Sequence, residues 1–195
     1  MESITLEKLL DENNLEKSDS MNTVKLLLPN KKYKQSYKNL LMSAQKERDY
    51  KELGNALIKE NETFDDMLRR VENRRIGKSL NLRDVPATIF WIISNNEIVG
   101  TIDLRHKLNN DYFERLGHIA YYIKPEERNK GYATKALSLA LKKYYNKNID
   151  KILITCFSDN VASSKVIEKN GGILECKYFD KLTNKYISRY WIEKE

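Results

Sequence analysis

Glycine, proline, cysteine and histidine are scarce in this chain of 195 residues, which holds seven glycines, three prolines, two cysteines and two histidines. So few glycines and prolines argue against a disordered chain and against a fibrous repeat. Two cysteines do not make the disulfide framework of a small secreted protein. The spacing of the cysteines and histidines also gives no zinc-binding pattern, so we expect no metal site.

Long apolar runs are missing as well, so the sequence predicts no helix that could span a bilayer. Residues 1–20 are acidic and polar, and from this we predict no secretory signal peptide and a cytoplasmic location. Charge is plentiful, because 32% of the residues are charged and the net charge is +7. That excess favours an anionic partner, which could be a nucleic acid or a phosphate-rich cofactor.

Residues 118–136 combine an apolar run with a basic turn and a helical pattern. The run predicts a strand, and Lys124-Pro125 ends it because proline cannot donate to a ladder. The turn contains Gly131, and apolar residues at three- and four-residue spacing then predict a helix. The first turn of a helix has unpaired N–H groups and a partial positive charge, so we predict that it binds a phosphate or pyrophosphate.

The segment Arg128-Asn129-Lys130-Gly131-Tyr132-Ala133 resembles the R/Q-x-x-G-x-G/A signature of GNAT-type N-acetyltransferases, which also lies between a strand and a helix. In that family the turn binds the pyrophosphate of acetyl-CoA. The end of the preceding strand pairs with the pantetheine amides, and a bulge there would splay the sheet. The resemblance implies transfer of an acetyl group from acetyl-CoA to a primary amine by direct attack through a tetrahedral intermediate. The cofactor-binding residues that it implies are Tyr122, Ile123, Lys124, Arg128, Asn129, Lys130, Gly131, Tyr132, Ala133, Thr134, Asn160 and Ser163.

The order of the predicted elements is similar to that of the GNAT fold. Residues 1–22 are interpreted as a polar N-terminal extension, and residues 23–195 as the acetyltransferase domain. We expect an α+β domain, with a splayed, mixed and mostly antiparallel sheet of about seven strands and about four flanking helices. A second family-like segment, 160–172, would place Asn160 at the pantetheine arm and Ser163 near the pyrophosphate and nucleotide end.

Two positions depart from the family pattern. Many members carry a tyrosine in the helix after Asn160, two residues before its lysine, and that tyrosine protonates the departing CoA thiolate. Here the position is Ile167, so the usual general acid is missing and the protonation step must be reassigned. The Gly-Phe that usually follows the lysine is replaced by Gly171-Gly172.

The attacking amine must be neutral, although a lysine-like amine has a pKa of about 10.4, so a base or a water chain to one is needed. We predict His118 as this base, because many relatives carry a glutamate there and because histidine titrates near neutrality. A purely structural hydrogen bond is the alternative role for His118, and Glu114 is the alternative base. Tyr178 and Tyr190 are candidate acids, and proton return through water is equally open. His106 is interpreted as structural or substrate-lining.

Two other classes of function stay open at this point. The missing tyrosine leaves room for a module that binds acyl-CoA without catalysis. The charge of +7 leaves room for a nucleic-acid-binding protein, although the basic residues are spread along the chain and no motif of that kind is recognisable. We expect a small-molecule or peptide amine as acceptor, no nucleic acid or membrane as partner, and a monomer or homodimer.

Overall fold

The computed structural model describes residues 23–81 and 84–194, so the predicted extension over residues 1–22 lies outside the described residues. Seven strands in the described part form two antiparallel sheets. The first sheet, in spatial order, contains β1 (Lys25–Leu27), β2 (Ala87–Ser94), β3 (Glu97–Arg105) and β4 (Ile119–Ile123). The second sheet, also in spatial order, contains β5 (Lys151–Phe157), β7 (Lys185–Glu193) and β6 (Ile173–Asp180).

Four α-helices flank the sheets, so the expected α+β architecture is confirmed. They are α1 (Lys34–Lys46), α2 (Phe64–Arg75), α3 (Tyr132–Tyr145) and α4 (Val161–Glu168). Shorter helical turns cover Lys31–Tyr33, Tyr50–Ala56, Tyr112–Leu116 and Pro125–Glu127. In residues 23–81 and 84–194, every helix is too short or too polar to cross a membrane.

Local sequence signals account for several of these boundaries. Thr63 caps α2, because its hydroxyl accepts from the Asp66 N–H at 3.1 Å while the Asp66 carboxylate accepts from the Thr63 N–H at 3.0 Å. Asn95 and Asn96 form the β2–β3 turn with φ angles of 49° and 59°, which a tight hairpin requires. Strand β2 is buried along nearly its whole length because helices or strands cover both of its faces.

Two apolar cores lie on opposite faces of the first sheet. One core packs α3 and α4 against β3, β4 and the second sheet, around Leu137 and Ile152. The other core packs α1 and α2 on the opposite face, around Tyr37 and Trp91. Side chains alternate along a strand, so neighbouring residues of β4 face different cores: Tyr121 packs on the α3 side and Tyr122 on the α1 side.

Strands β4 and β5 are joined at one end only. The His118 N–H donates to the Leu153 carbonyl at 2.7 Å, and the Leu153 N–H donates to the His118 Nδ1 atom at 2.9 Å. The backbone and the imidazole of His118 therefore hold the same residue of β5, one through its carbonyl and the other through its N–H. The expected bulge near Tyr122 is absent, because the β3–β4 register runs unbroken from Gly100–Ile123 to Leu104–Ile119. The sheet opens where the His118–Leu153 clamp ends.

Gly117 permits this clamp to form. Its φ angle is +63°, and an added Cβ atom would lie 2.6 Å from the Leu153 carbonyl oxygen. A side chain at this position would therefore be strained in the backbone and would also overlap β5.

We expect Gly117→Ala to destabilise the protein by roughly 3 kcal/mol or more, since backbone strain and steric overlap add. Gly54→Ala is the matched control, because Gly54 has a φ angle of +53° with no neighbour within 4 Å of an added Cβ. The control should lose only about 1–2 kcal/mol from backbone strain. Urea denaturation measures both free energies of unfolding, and equal losses would show that the clamp does not need the close approach at Gly117.

Candidate functional site

A cavity of about 210 Å³ occupies the gap between β4 and β5 beyond the clamp. On the α3 side it is lined by Tyr121 and by Ser163 of α4. Glu52, from the turn between α1 and α2, lines it as well. The cavity is thus open to both faces of the first sheet, and it brings together residues far apart in sequence.

One edge of β4 faces this gap and pairs with no other strand among the described residues. The Lys124 N–H donates to the Val99 carbonyl at 2.9 Å, and the Arg105 N–H donates to the His118 carbonyl at 2.9 Å. Backbone groups alternate in direction along an antiparallel strand, so those of Tyr122 point at β3 while those of Tyr121 and Ile123 point into the gap.

Lys124 departs from its predicted role as a source of free backbone groups. Its N–H is used by Val99, and its carbonyl accepts from the Glu127 N–H at 2.9 Å. Tyr122 is likewise paired with Thr101 across the ladder. Of the three strand residues predicted to offer backbone groups, Ile123 faces the gap, and Tyr121 does so although it was not predicted.

The predicted phosphate turn leads from β4 into α3. Gly131 precedes the first turn of α3 with a φ angle of +81°, and no atom lies within 4 Å of an added Cβ there. No side chain caps this end of α3, and Asn129 also has a positive φ angle of 62°. The Tyr132 side chain is buried in the core, so that residue presents only its backbone. The turn therefore has open space in front of uncapped N–H groups, as an anion site requires.

Two basic residues of the turn already hold carboxylate partners. Arg128 forms an ion pair with Asp49, and its Nε atom donates to the Ile123 carbonyl at 3.2 Å. Lys130 lies 3.0 Å from the Glu127 carboxylate. The Tyr122 hydroxyl also donates to Asp49, at 2.8 Å, and burial raises the pKa of that phenol. Asp49 thus connects the segment after α1 with the phosphate turn.

His118 is placed as a structural group rather than as a base. Burial lowers its pKa to about 4, and the Arg105 charge adds to this effect, so His118 does not titrate near neutrality as a base in this role was expected to. Because Nδ1 accepts from the Leu153 N–H, the neutral ring carries its proton on Nε2 and has no free lone pair. The ring also packs edge-on against Tyr144, with centroids 5.9 Å apart. The geometry argues against His118 as proton acceptor.

The other predicted acid and base residues lie outside the cavity lining, and so does His106, which was interpreted as structural or substrate-lining. The Tyr178 hydroxyl donates to the Glu114 carbonyl at 2.6 Å. Tyr190 is only 3% exposed, and its hydroxyl donates to Glu168 at 3.4 Å. His106 shares a hydrogen bond of 2.8 Å with the Thr88 hydroxyl, and burial lowers its pKa. The structure therefore does not bring these residues to the gap.

Tyr121 and Glu52 line the cavity, although the sequence did not single them out. The Tyr121 hydroxyl donates to the Ser163 hydroxyl at 3.1 Å, and burial raises the pKa of Tyr121 to about 12. The only sequence signal for Tyr121 is the alternation of side chains along β4, and using it requires knowing that the gap begins just after His118. No local pattern marks Glu52, because it reaches the cavity from a turn distant in sequence.

The two departures from the family pattern are physically coupled. Ile167 is fully buried in the core, and an added Cβ at Gly172 would lie 2.4 Å from the Ile167 Cγ2 atom. Gly172 therefore leaves the space that the branched Ile167 side chain fills. A side chain that packs inward in this way offers no proton to the gap.

Comparison with known proteins supports a single family. The model of the Acetyltransferase (GNAT) domain matches residues 38–173. No curated protein sequence matches the chain significantly. One similar solved structure is an acetyltransferase from Salmonella typhimurium that modifies the N-terminal serine of ribosomal protein L7/L12. It has a TM-score of 0.61 and 15% identity, over 89% of this chain and 96% of that one.

Two further similar structures differ in what their names say they act on or bind. The microcin C7 self-immunity acetyltransferase MccE, in complex with acetyl-CoA and AMP, has a TM-score of 0.61 and 19% identity, over 87% of this chain and 92% of that one. A chimera of spermidine N-acetyltransferase SpeG from Vibrio cholerae and hSSAT has a TM-score of 0.57 and 19% identity, over 88% and 95%. At these identities the likeness shows the fold.

The buried imidazole should make the protein acid-sensitive. The pKa of His118 is about 4 in the folded state and about 6.5 in an unfolded chain. Between these values the unfolded state binds the extra proton, so stability is full above about pH 6.5 and falls as the pH drops towards 4. The loss amounts to about 3 kcal/mol at most.

We expect His118→Gln to flatten this part of the stability profile, because glutamine does not titrate. Urea denaturation at a series of pH values between 4 and 7 measures the slope. His106→Gln, which changes the only other histidine, should leave the His118 part of the slope in place. An unchanged slope in His118→Gln would mean that the imidazole protonates as easily in the folded state as in the unfolded one.

Proposed function

This chain belongs to the GNAT acetyltransferase family, and we propose that it transfers the acetyl group of acetyl-CoA to a primary amine by direct attack. One observation carries this proposal: the edge of β4 that pairs with no other strand among the described residues runs from the cavity to the uncapped end of α3. An extended thioester ligand needs three features in this spatial order: a reaction space, a strand edge that pairs with no other strand, and an anion site.

The cofactor would lie along β4 with its pyrophosphate at the phosphate turn. The backbone of Tyr121 and the N–H of Ile123, whose carbonyl accepts from Arg128, would pair with the pantetheine amides, as in strand addition. The N–H groups of residues 131–134 would hold the pyrophosphate, together with Arg128 and Lys130. Asn160 already caps α4, because its side chain accepts from the Ser163 N–H at 3.0 Å, and its amide N–H₂ would contact the pantetheine arm.

The acetyl group would then sit in the cavity, where the carbonyl oxygen gains negative charge during attack. A strand N–H that points into the gap, that of Tyr121 or Ile123, would stabilise this charge. The acceptor would enter from the α1 and α2 side, where Glu52 is exposed at the cavity. Glu52 would take the amine proton directly or through a water molecule.

Tyr121 would supply the proton that Ile167 cannot supply. Its hydroxyl lies in the gap, and its pKa of about 12 keeps the phenol protonated at neutral pH. The departing CoA thiolate would take the Tyr121 proton, and solvent would return a proton to the tyrosinate by way of the Ser163 hydroxyl, 3.1 Å away.

The acceptor of this chain is a primary amine of a small molecule or a peptide under this proposal. Both kinds occur among the similar structures, whose names specify a protein N-terminus in one case and spermidine in another. A monomer or homodimer in the cytoplasm is our working hypothesis. A non-catalytic acyl-CoA-binding module is the second candidate, favoured by the buried Ile167.

Gly131→Glu tests the phosphate turn. We expect it to abolish acetyl-CoA binding, because the new carboxylate enters the open space in front of α3 and repels the pyrophosphate. Acetyl-CoA should raise the melting temperature of the wild type, since it binds only the folded state, and should not raise that of the variant.

Gly77→Glu is the matched control for this experiment. Gly77 also has a positive φ angle, +76°, and its nearest neighbour is a Pro86 atom at 3.7 Å, an ordinary contact. The Gly77→Glu variant bears the same strain and the same added charge at the end of α2, so acetyl-CoA should still raise its melting temperature. An equal shift in wild type and Gly131→Glu would place the phosphate site elsewhere.

Tyr121→Phe tests the proton donor. The ring and its packing remain, but the hydroxyl is lost, so kcat should fall roughly ten- to ten-thousand-fold while acetyl-CoA affinity changes little. CoA release with a panel of a polyamine, a peptide with a free N-terminus and free amino acids measures the rate. Tyr186→Phe is the control, because Tyr186 is 60% exposed on β7, and it should keep the wild-type kcat.

Glu52→Gln provides the complementary measurement on the base. It should lower kcat and preserve the acetyl-CoA thermal shift, whereas Glu60→Gln, an exposed site outside the cavity lining, should do neither. Wild-type kcat in both Tyr121→Phe and Glu52→Gln would mean that water exchanges both protons. A thermal shift without turnover of any amine in the panel would favour the non-catalytic module.

A further inference from the structure

Arg105 is a buried guanidinium without a carboxylate partner among the described residues. It is only 6% exposed, its Nη1 atom donates to the carbonyls of Leu116 at 2.7 Å and Gly117 at 2.8 Å, and its Nε atom has no partner. The two other buried arginines among the described residues have carboxylate counterions. These pairs are Arg74–Asp103 at 2.9 Å and Arg189–Glu175 at 2.7 Å.

A structural role explains only part of this arrangement. Arg105 closes the helical turn before β4 by binding its last carbonyls, and its guanidinium lies 4.8 Å from the centre of the Tyr112 ring. A neutral donor could bind those carbonyls at less cost. A buried charge with no opposite charge costs several kcal/mol, so its presence points to an anion that arrives with a ligand.

The position of Arg105 identifies which ligand this would be. Arg105 lines the same cavity as Glu52. Along β3, Ile102 and Leu104 face the α3 core, while Asp103 forms an ion pair with Arg74 of α2. Side chains alternate along a strand, so the Arg105 side chain leaves β3 on the same face as Asp103, the α2 face. The phosphate turn does not contribute to the cavity lining, and the thioester is uncharged. An anion at Arg105 would therefore belong to the acceptor.

We propose that Arg105 binds a carboxylate of the acceptor, so that the substrate is an amine that also carries a carboxylate, as a free amino acid does. This inference rests on the proposed acetyltransferase function and specifies its substrate class. Arg105 would orient the acceptor through its carboxylate, and Glu52 would face the amine. Arginine suits this task because its planar guanidinium matches a carboxylate with two parallel hydrogen bonds.

The test compares amines that differ only in this charge. Free L-amino acids and the corresponding amino acid amides are offered at saturating acetyl-CoA, and CoA release gives kcat/KM for each pair. We expect the wild type to prefer the carboxylates at least tenfold, because a buried charge pair discriminates strongly against a neutral partner. In Arg105→Gln the ratio should fall towards one through a higher KM for the carboxylates.

Two measurements keep the result interpretable. The acetyl-CoA thermal shift reports whether Arg105→Gln is folded with an intact cofactor site. Arg105→Lys keeps the positive charge but loses the planar guanidinium, so its ratio of kcat/KM for carboxylates over amides should be intermediate. Phosphoethanolamine against ethanolamine tests phosphate as the anion, and a preference for that phosphate over the amino acids would overturn the carboxylate assignment.

Other outcomes separate the two proposals. Equal kcat/KM for carboxylates and amides in the wild type would overturn the role of Arg105. The same holds if neither the amino acids nor their amides are acetylated although acetyl-CoA still raises the melting temperature. A preference that survives in Arg105→Gln would also overturn it. No thermal shift with acetyl-CoA would instead remove the proposed function itself.

Discussion

Two hydrogen bonds between His118 and Leu153 determine where the two sheets are joined and where they separate. The backbone of His118 joins β4 to β5, and its side chain reinforces the junction by accepting from the N–H of the same Leu153. Every residue of the candidate site is positioned relative to this point. A longer ladder would close the gap, because the cavity is lined by the residues of β4 and β5 that follow the clamp.

The gap divides the site into two halves with different chemistry. On the α3 and α4 side lie uncapped helix N–H groups and hydroxyls, which suit an anionic, extended cofactor. On the α1 and α2 side lie Glu52 and Arg105, which suit a small charged acceptor. Tyr121 belongs to the strand between the halves, so its backbone and its hydroxyl can act on the same bound thioester.

Much of the fold could be predicted from the sequence because its signals are local. The bounds of β2, β3, β6 and β7 follow from apolar runs and turn residues, and the Thr63 cap follows from its spacing to Asp66. The site was harder to predict, since Glu52 and Arg105 reach the cavity only through tertiary packing. His118 shows the same limit, because its pKa depends on burial between β4 and α3, which no local pattern encodes.

The ion pair between Asp49 and Arg128 has a consequence for selectivity among cellular anions. Arg128 of the phosphate turn is paired with Asp49, so a phosphate that bound there would have to replace this carboxylate before it gained a charge partner. Inorganic phosphate and small nucleotides would gain little from this exchange. A ligand that also paired along β4 would gain further hydrogen bonds that offset this loss, so under the proposed function the turn would distinguish a coenzyme from its more abundant fragments.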